Sequence, residues 1–211
     1  MRHFIGWLLL LFACASAAQA GTLTVRVVGA DGKPVSDAVV TLRPQGGSAP
    51  ALRPQGRYEV KQFDTQFHPF VSVVPVSATV YFPNLDPFKH HVYSFSPAKT
   101  FELKLFAKDQ TRSVLFDKAG VVAVGCNIHD NMSAFIYVTD TVWTAQTDAS
   151  GQAVIRDVPA QALTLSLWHP YLSVPGGVSN EALAASGADR SKTIQVKLRA
   201  PPGHHMNMGA Y

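Results

Sequence analysis

Apolar and polar residues alternate with a period of two over several stretches of the chain. Leu23, Val25 and Val27 are interleaved with Thr22, Thr24 and Arg26, and Phe101, Leu103 and Leu105 with Glu102 and Lys104. Leu163, Leu165 and Leu167 repeat the pattern, as do Ile194, Val196 and Leu198. Successive side chains of a strand point to opposite faces, so each run predicts a half-buried β-strand. The apolar runs Val73-Val74-Pro75, Thr79 to Phe82, Val121 to Gly125 and Ala134 to Val138 predict further strands. Turn signals punctuate them: Asp31-Gly32-Lys33-Pro34, Gly46-Gly47-Ser48 and Asp148-Ala149-Ser150-Gly151. A helix is expected only around Asn180 to Ala188. Many short strands with Gly, Pro and Asp turns predict an all-β fold packed as a β-sandwich.

The first twenty residues break this pattern. Arg2 and His3 precede an apolar run from Phe4 to Ala13, and small residues end in Ala18-Gln19-Ala20. A charged start, a short apolar stretch and an Ala-x-Ala end predict a signal peptide over residues 1–20 and export to the periplasm. The run is too short to span a bilayer. Cys14, in Leu11-Phe12-Ala13-Cys14, offers a competing lipoprotein site, with Phe12 a poor fit to that motif. The formal charge of +4 becomes +3 without Arg2, and the cations form no run, which argues against nucleic-acid binding. With 47% hydrophobic and 15% charged residues the chain can bury a core.

Removing Cys14 leaves Cys126 as the lone cysteine of an exported protein, with no intramolecular disulfide partner. Its neighbourhood supplies a reason for it. Cys126-Asn127-Ile128-His129-Asp130-Asn131-Met132 holds a thiolate, an imidazole and a thioether, and His90-His91 lies upstream. One Cys and two His with a weak Met is the donor set of a blue-copper site. Zinc takes Cys and His too, but its structural sites usually recruit four such ligands, and this chain offers one Cys. Adjacent strand residues face opposite ways, so one of His90 and His91, not both, is expected to bind. No Ser-His-Asp order, metalloprotease motif or phosphate loop is present, which argues against an enzyme.

Phe82-Pro83-Asn84, His90-His91-Val92-Tyr93-Ser94-Phe95-Ser96 and Gly125-Cys126-Asn127-Ile128-His129-Asp130 make the middle of the chain resemble the cupredoxin family. Plastocyanin, amicyanin and pseudoazurin are members, as are periplasmic proteins labelled methylamine utilisation proteins. The Cys-x2-His-x2-Met spacing is similar to amicyanin's short loop. The resemblance implies a Greek-key sandwich over residues 62–140 and one type 1 copper per chain. It implies His90, Cys126, His129 and Met132 as ligands, with His91 the alternative to His90. His-Asn is the common cupredoxin pattern, so His91 stands where an Asn usually braces the ligand loops. Asn127, His91 and Asn84 are the expected surroundings of the ligands. The resemblance also makes His129 the electron exit, ringed by Asn131, Ser133 and Pro83, toward a cytochrome or a periplasmic dehydrogenase.

Residues 21–61 and 141–199 together resemble a carboxypeptidase-regulatory-like, transthyretin-like β-sandwich. The residues that carry this are Asp31-Gly32-Lys33-Pro34-Val35, Ala38 to Leu42, Thr147 to Gly151, Asp157-Val158-Pro159 and Leu163 to Trp168. The middle segment would then be an insertion between two halves of one sandwich; the alternative is that all strands belong to one larger sandwich. Residues 200–211 form a tail with His204, His205, Met206 and Met208. That tail favours a second reading, copper storage or delivery. A third is a glycan-binding sandwich with a structural copper. His68 is expected in a loop, His169 as a satisfied structural histidine, and Asp130 as a solvated or turn-stabilising residue. A monomer is expected.

Overall fold

The computed structural model describes residues 20–129 and 131–201. Residues 1–19 of the expected signal peptide, Cys14 among them, Asp130 and nearly all of the His/Met tail lie outside the described residues; Ala20, the signal peptide's expected last residue, opens β1. The strands in chain order are β1 Ala20–Gly29, β2 Val39–Pro44, β3 Tyr58–Glu59, β4 Lys61–Phe63, β5 Gln66–His68 and β6 Val71–Pro75. Then come β7 Ala78–Pro83, β8 His90–Ser96, β9 Lys99–Phe106, β10 Thr111–Phe116, β11 Gly120–Gly125 and β12 Ser133–Thr139. The last are β13 Thr144–Gln146, β14 Gln152–Pro159, β15 Leu163–Trp168, β16 Val178–Leu183 and β17 Arg190–Val196.

Two sandwiches result, and the protein is all β with Greek-key connections. In one, the sheet β14-β1-β17 faces the sheet β13-β2-β15-β16. Their alternating apolar residues meet in a core of Leu23, Val25, Val27, Val40, Leu42, Ile155, Leu163, Leu165 and Leu167, among others. In the other, β6-β12-β11-β8-β9 faces β10-β7-β3. That core holds Val80, Phe82, Val92, Phe106, Phe116, Val122, Val124 and Ile136, and reaches Cys126 and Met132. The chain enters this second core at Tyr58 and Val60, ahead of the Gln62 expected from the sequence.

The sheets also touch back to back. Val39, Val71 and Trp168 are buried between them, with Phe70, Val73, Phe135, Tyr137 and Val178 packed around. Trp168 meets Phe135 at 5.9 Å and Tyr137 at 5.6 Å between ring centroids, and Phe70 meets Phe135 edge-on at 5.5 Å. Each such pair adds about 0.5–1.5 kcal/mol beyond the area it buries.

The helix expected around Asn180 to Ala188 is not formed. Val178–Leu183 is strand β16, antiparallel to β15, with Leu163 opposite Leu183 and Trp168 opposite Val178. Tertiary pairing overrides the helical preference of Glu181-Ala182-Leu183-Ala184-Ala185. His68 ends β5 and is exposed, its ring 6.3 Å from that of Phe63.

His169 follows β15 and is 7% exposed, its Nδ1 accepting from the Tyr171 amide at 3.2 Å. Burial pushes its imidazole below the ordinary 6.5, outweighing the opposing pull of Asp37 and of a backbone hydrogen bond at Ser36. The unfolded chain therefore takes up a proton at this site before the native one does. Stability should be full above about pH 6.5 and fall as the pH drops below it. His169→Gln should flatten that part of the curve, measured as urea midpoints between pH 7.5 and 5. An unchanged slope would show that His169 does not contribute it.

Candidate metal centre

The hairpin of β11 and β12 builds one side of the site. Its register runs from Gly120 opposite Val138 to Gly125 opposite Ser133. Val122, Val124 and Cys126 face inward on one strand, and Met132, Ala134, Ile136 and Val138 on the other. The Cys126 amide donates to the Met132 carbonyl at 3.1 Å, and the Met132 amide to the His129 carbonyl at 3.1 Å. The loop is thereby folded back over the end of the core. Gly125 lets the Tyr93 ring pack closely: a Cβ there would lie 3.1 Å from it, and the ring would have to give by a few tenths of an ångström.

The connection from β7 to β8 builds the other side. Asn84 is fully buried and pins it. Its Oδ1 accepts from the Asp86 amide at 3.0 Å, and its Nδ2 donates to the Phe88 carbonyl at 2.8 Å and the Phe106 carbonyl at 3.1 Å. The connection ends at His90, the first residue of β8, whose side chain is fully buried.

His90, Cys126 and His129 converge, one donor atom from each lying within 4.8 Å of the others. Cys126 Sγ is 3.7 Å from His90 Nδ1 and 3.7 Å from His129 Nδ1. Met132 is 2% exposed and packs in the same core. The structure does not bring His91 into this group. It points the other way, with Nε2 2.9 Å from Glu102 Oε1. Asn127 is exposed and lines a shallow surface groove with His91, Tyr93, Phe95 and Glu102. Asn131 and Ser133 are exposed and Pro83 is half-buried.

Sequence reasoning missed Asp86. Its Oδ2 is 2.7 Å from His90 Nε2, and the residue is only 4% exposed. Burial alone would raise this carboxyl, but hydrogen bonds from His90 and from the Thr65 and Asp64 amides hold it below the usual carboxylate range. The tautomer that carries its proton on Nε2 would donate to this carboxylate and leave the Nδ1 lone pair facing Cys126. The only available signal was the i,i+4 spacing of Asp86 and His90, unremarkable outside a helix. Phe88 also went unremarked. Its ring stands 5.2 Å from His90 and 5.5 Å from His129.

No family model matches the chain, and no curated protein does. Solved structures do. A copper-containing nitrite reductase from Thermus scotoductus SA-01 is 26% identical over 46% of this chain and 25% of its own, with a TM-score of 0.39. A purple cupredoxin from Nitrosopumilus maritimus is 18% identical over 39% of this chain and 99% of its own, with a TM-score of 0.36. A Cu(I) form of an amicyanin variant is 20% identical over 47% of this chain and 98% of its own, with a TM-score of 0.38. Each similarity covers less than half of this chain, which spans a quarter of the reductase's length.

Asn84→Ala would strip a partner from the Asp86 amide and the Phe106 carbonyl, both buried. At about 1–3 kcal/mol for each orphaned group, the loss should be at least ~2 kcal/mol. Urea unfolding checks this: the midpoint should fall with an unchanged slope. A midpoint within error of wild type would remove Asn84 as the pin of this connection.

Proposed function

We propose that this chain is an exported copper protein that carries single electrons, with His90, Cys126, His129 and Met132 holding one type 1 copper. The convergence of Cys126 Sγ with two imidazole Nδ1 atoms carries the reading. The donor set fits: one thiolate, two neutral imidazoles and a buried thioether suit copper in both oxidation states. A copper ion bound there would supply a one-electron Cu(II)/Cu(I) couple.

The protein's own part is to hold these donors still. Cys126 and Met132 are locked by their mutual backbone bond, and His90 by burial and by Asp86. His129 is less enclosed, being half-buried. Phe88 beside it and Ile128 before it are 43% and 48% exposed. That combination suits a small, transient contact with a redox partner, a cytochrome or a periplasmic dehydrogenase, with His129 nearest the partner. Among the described residues no helix is long and apolar enough to cross a membrane. Export would rest on the N-terminal segment, cut after Ala20. Residues 62–140 would be the electron-carrying unit, inserted between the halves of the flanking sandwich.

Added Cu(II) should bind one per chain and give an intense visible thiolate-to-copper band. Cys126→Ser should abolish the band, while His91→Ala should keep it. A colourless complex, or a band that survives Cys126→Ser, would overturn the reading. A copper-delivery role predicts loss of the metal to an acceptor chelator during redox cycling; an electron carrier retains it.

Met132 tests the axial assignment. Met132→Leu should keep the band and raise the potential, because a donor to the oxidised state is removed. Met132→Gln should lower it, since an oxygen donor favours Cu(II). Voltammetry on the three proteins decides; potentials that do not move would make Met132 a packing residue only.

A further inference from the structure

We infer that the Asp64-Thr65 turn and Asp86 act together as positioning residues for His90, linking a surface hairpin to the orientation of a buried imidazole. β4 and β5 pair with Gln62 opposite Phe67 and Phe63 opposite Gln66, which leaves a two-residue turn. Both turn residues adopt left-handed backbone, with φ of 52° at Asp64 and 57° at Thr65. Two positive φ values in a two-residue hairpin are ordinarily met by Asn-Gly or Asp-Gly. A β-branched threonine in this region is strained, and such strain persists only where the surroundings over-determine it.

What the strained turn does is visible in its amides. Asp64 N donates to Asp86 Oδ1 at 2.8 Å and Thr65 N to Asp86 Oδ2 at 3.1 Å. The same Oδ2 lies 2.7 Å from His90 Nε2. Asp86 is fixed from its own backbone as well, through Asn84 Oδ1. The carboxylate is therefore gripped by two turn amides on one side and one imidazole on the other. The two amide bonds fix both carboxylate oxygens in place, and His90 Nε2 stands within hydrogen-bond distance of one of them. The imidazole is left with one orientation and one tautomer: Nε2–H toward Asp86, lone pair at Nδ1 toward Cys126.

The turn contributes through backbone N–H groups, so its side chains are replaceable while its φ values are not. A double variant, Asp64→Asn with Thr65→Gly, keeps both amides and relieves the strain. Thr65→Pro removes one amide and forbids the positive φ. Asp86→Asn keeps the shape of the side chain but sets an NH2 where one oxygen accepted.

This inference shares His90 with the copper reading, yet its first test uses the metal-free protein. Long-range 1H–15N NMR of the His90 ring should show the Nε2–H tautomer with a slowly exchanging ring proton in wild type. Asp86→Asn should speed that exchange roughly tenfold or more, the size expected for losing a hydrogen bond to a charged group. Thr65→Pro should speed it by less, and the double variant of the turn should leave it unchanged. A wild-type Nδ1–H tautomer would overturn the inference whether or not any variant folds. So would exchange that is unaffected by Asp86→Asn, or exchange accelerated in the double variant. In copper-loaded protein, Asp86→Asn should raise the potential with the visible band retained, and an unmoved potential would count against Asp86. If copper fails to give the blue band while the tautomer results hold, the metal reading fails and this one stands.

Discussion

The bond from the Cys126 amide to the Met132 carbonyl sets the register on which the whole site depends. It extends the β11–β12 ladder by one rung beyond Gly125 and Ser133. Because strand side chains alternate, that rung places Cys126 and Met132 on the same inward face as Val124, Ala134 and Ile136. The sulfur-bearing residues are in effect the last members of the hydrophobic core. A slip of one residue would turn Cys126 to solvent and Asn127 inward, and every buried apolar side chain of the strand with it. The core therefore enforces the position of the thiol far more strongly than the loop alone could.

The other sandwich bears on the same sheet. β12 runs parallel to β6, and the outer faces of both pack against Trp168 of β15 and Val39 of β2. The five-stranded sheet is thus apolar on both faces at β6 and β12 but solvated on one face at β8 and β9. Phe95, 80% exposed on β8, marks the uncovered half. β12 is held from both sides, and it is the strand that receives the Cys126–Met132 loop. The burial of Phe135 and Tyr137 against Trp168 steadies the base of a loop whose tip is half exposed.

What was legible in the sequence follows from how local each feature is. The period-two runs around Leu23, Leu103 and Leu165 mark strands because alternation is a property of neighbouring residues. The Cys126–Met132 loop was legible because three donor types fall within one turn of chain. The paired histidines could be read only as a choice; the fold separates them, His90 at the buried start of β8 and His91 across to Glu102. The stretch from Asn180 misled because its alanines favour helix locally, whereas its strand partner β15 is a tertiary fact. Asn84 was singled out, but the three bonds that make it a pin run to residues 2, 4 and 22 positions away. Asp86 carried no sign beyond its i,i+4 spacing from His90, since its importance arises where a distant hairpin meets it. The Asp64-Thr65 turn was hidden for a further reason: it lacks the glycine by which such turns are recognised.

The two imidazoles of the centre end in unlike environments, and the difference has a physical logic. His90 is fully buried, and its outer nitrogen ends on an anion that is itself held by backbone amides. His129 sits on the loop, half-buried, with Cys126 as its hydrogen-bond-range neighbour and Phe88 against its ring. A buried carboxylate next to the site is costly unless fully bonded, and here three donors satisfy it. That cost falls on the side facing the β4–β5 hairpin, where Asp86 is 4% exposed. On the other side, exposed Phe88 and Ile128 leave the edge of His129 close to solvent, where another protein can approach. If both imidazoles bind copper as proposed, rigidity and access would thus fall to different residues. Under the proposed function, a carboxylate beside His129 instead would add charge and hydration to the face offered to a partner, whereas behind His90 the anion leaves that face apolar.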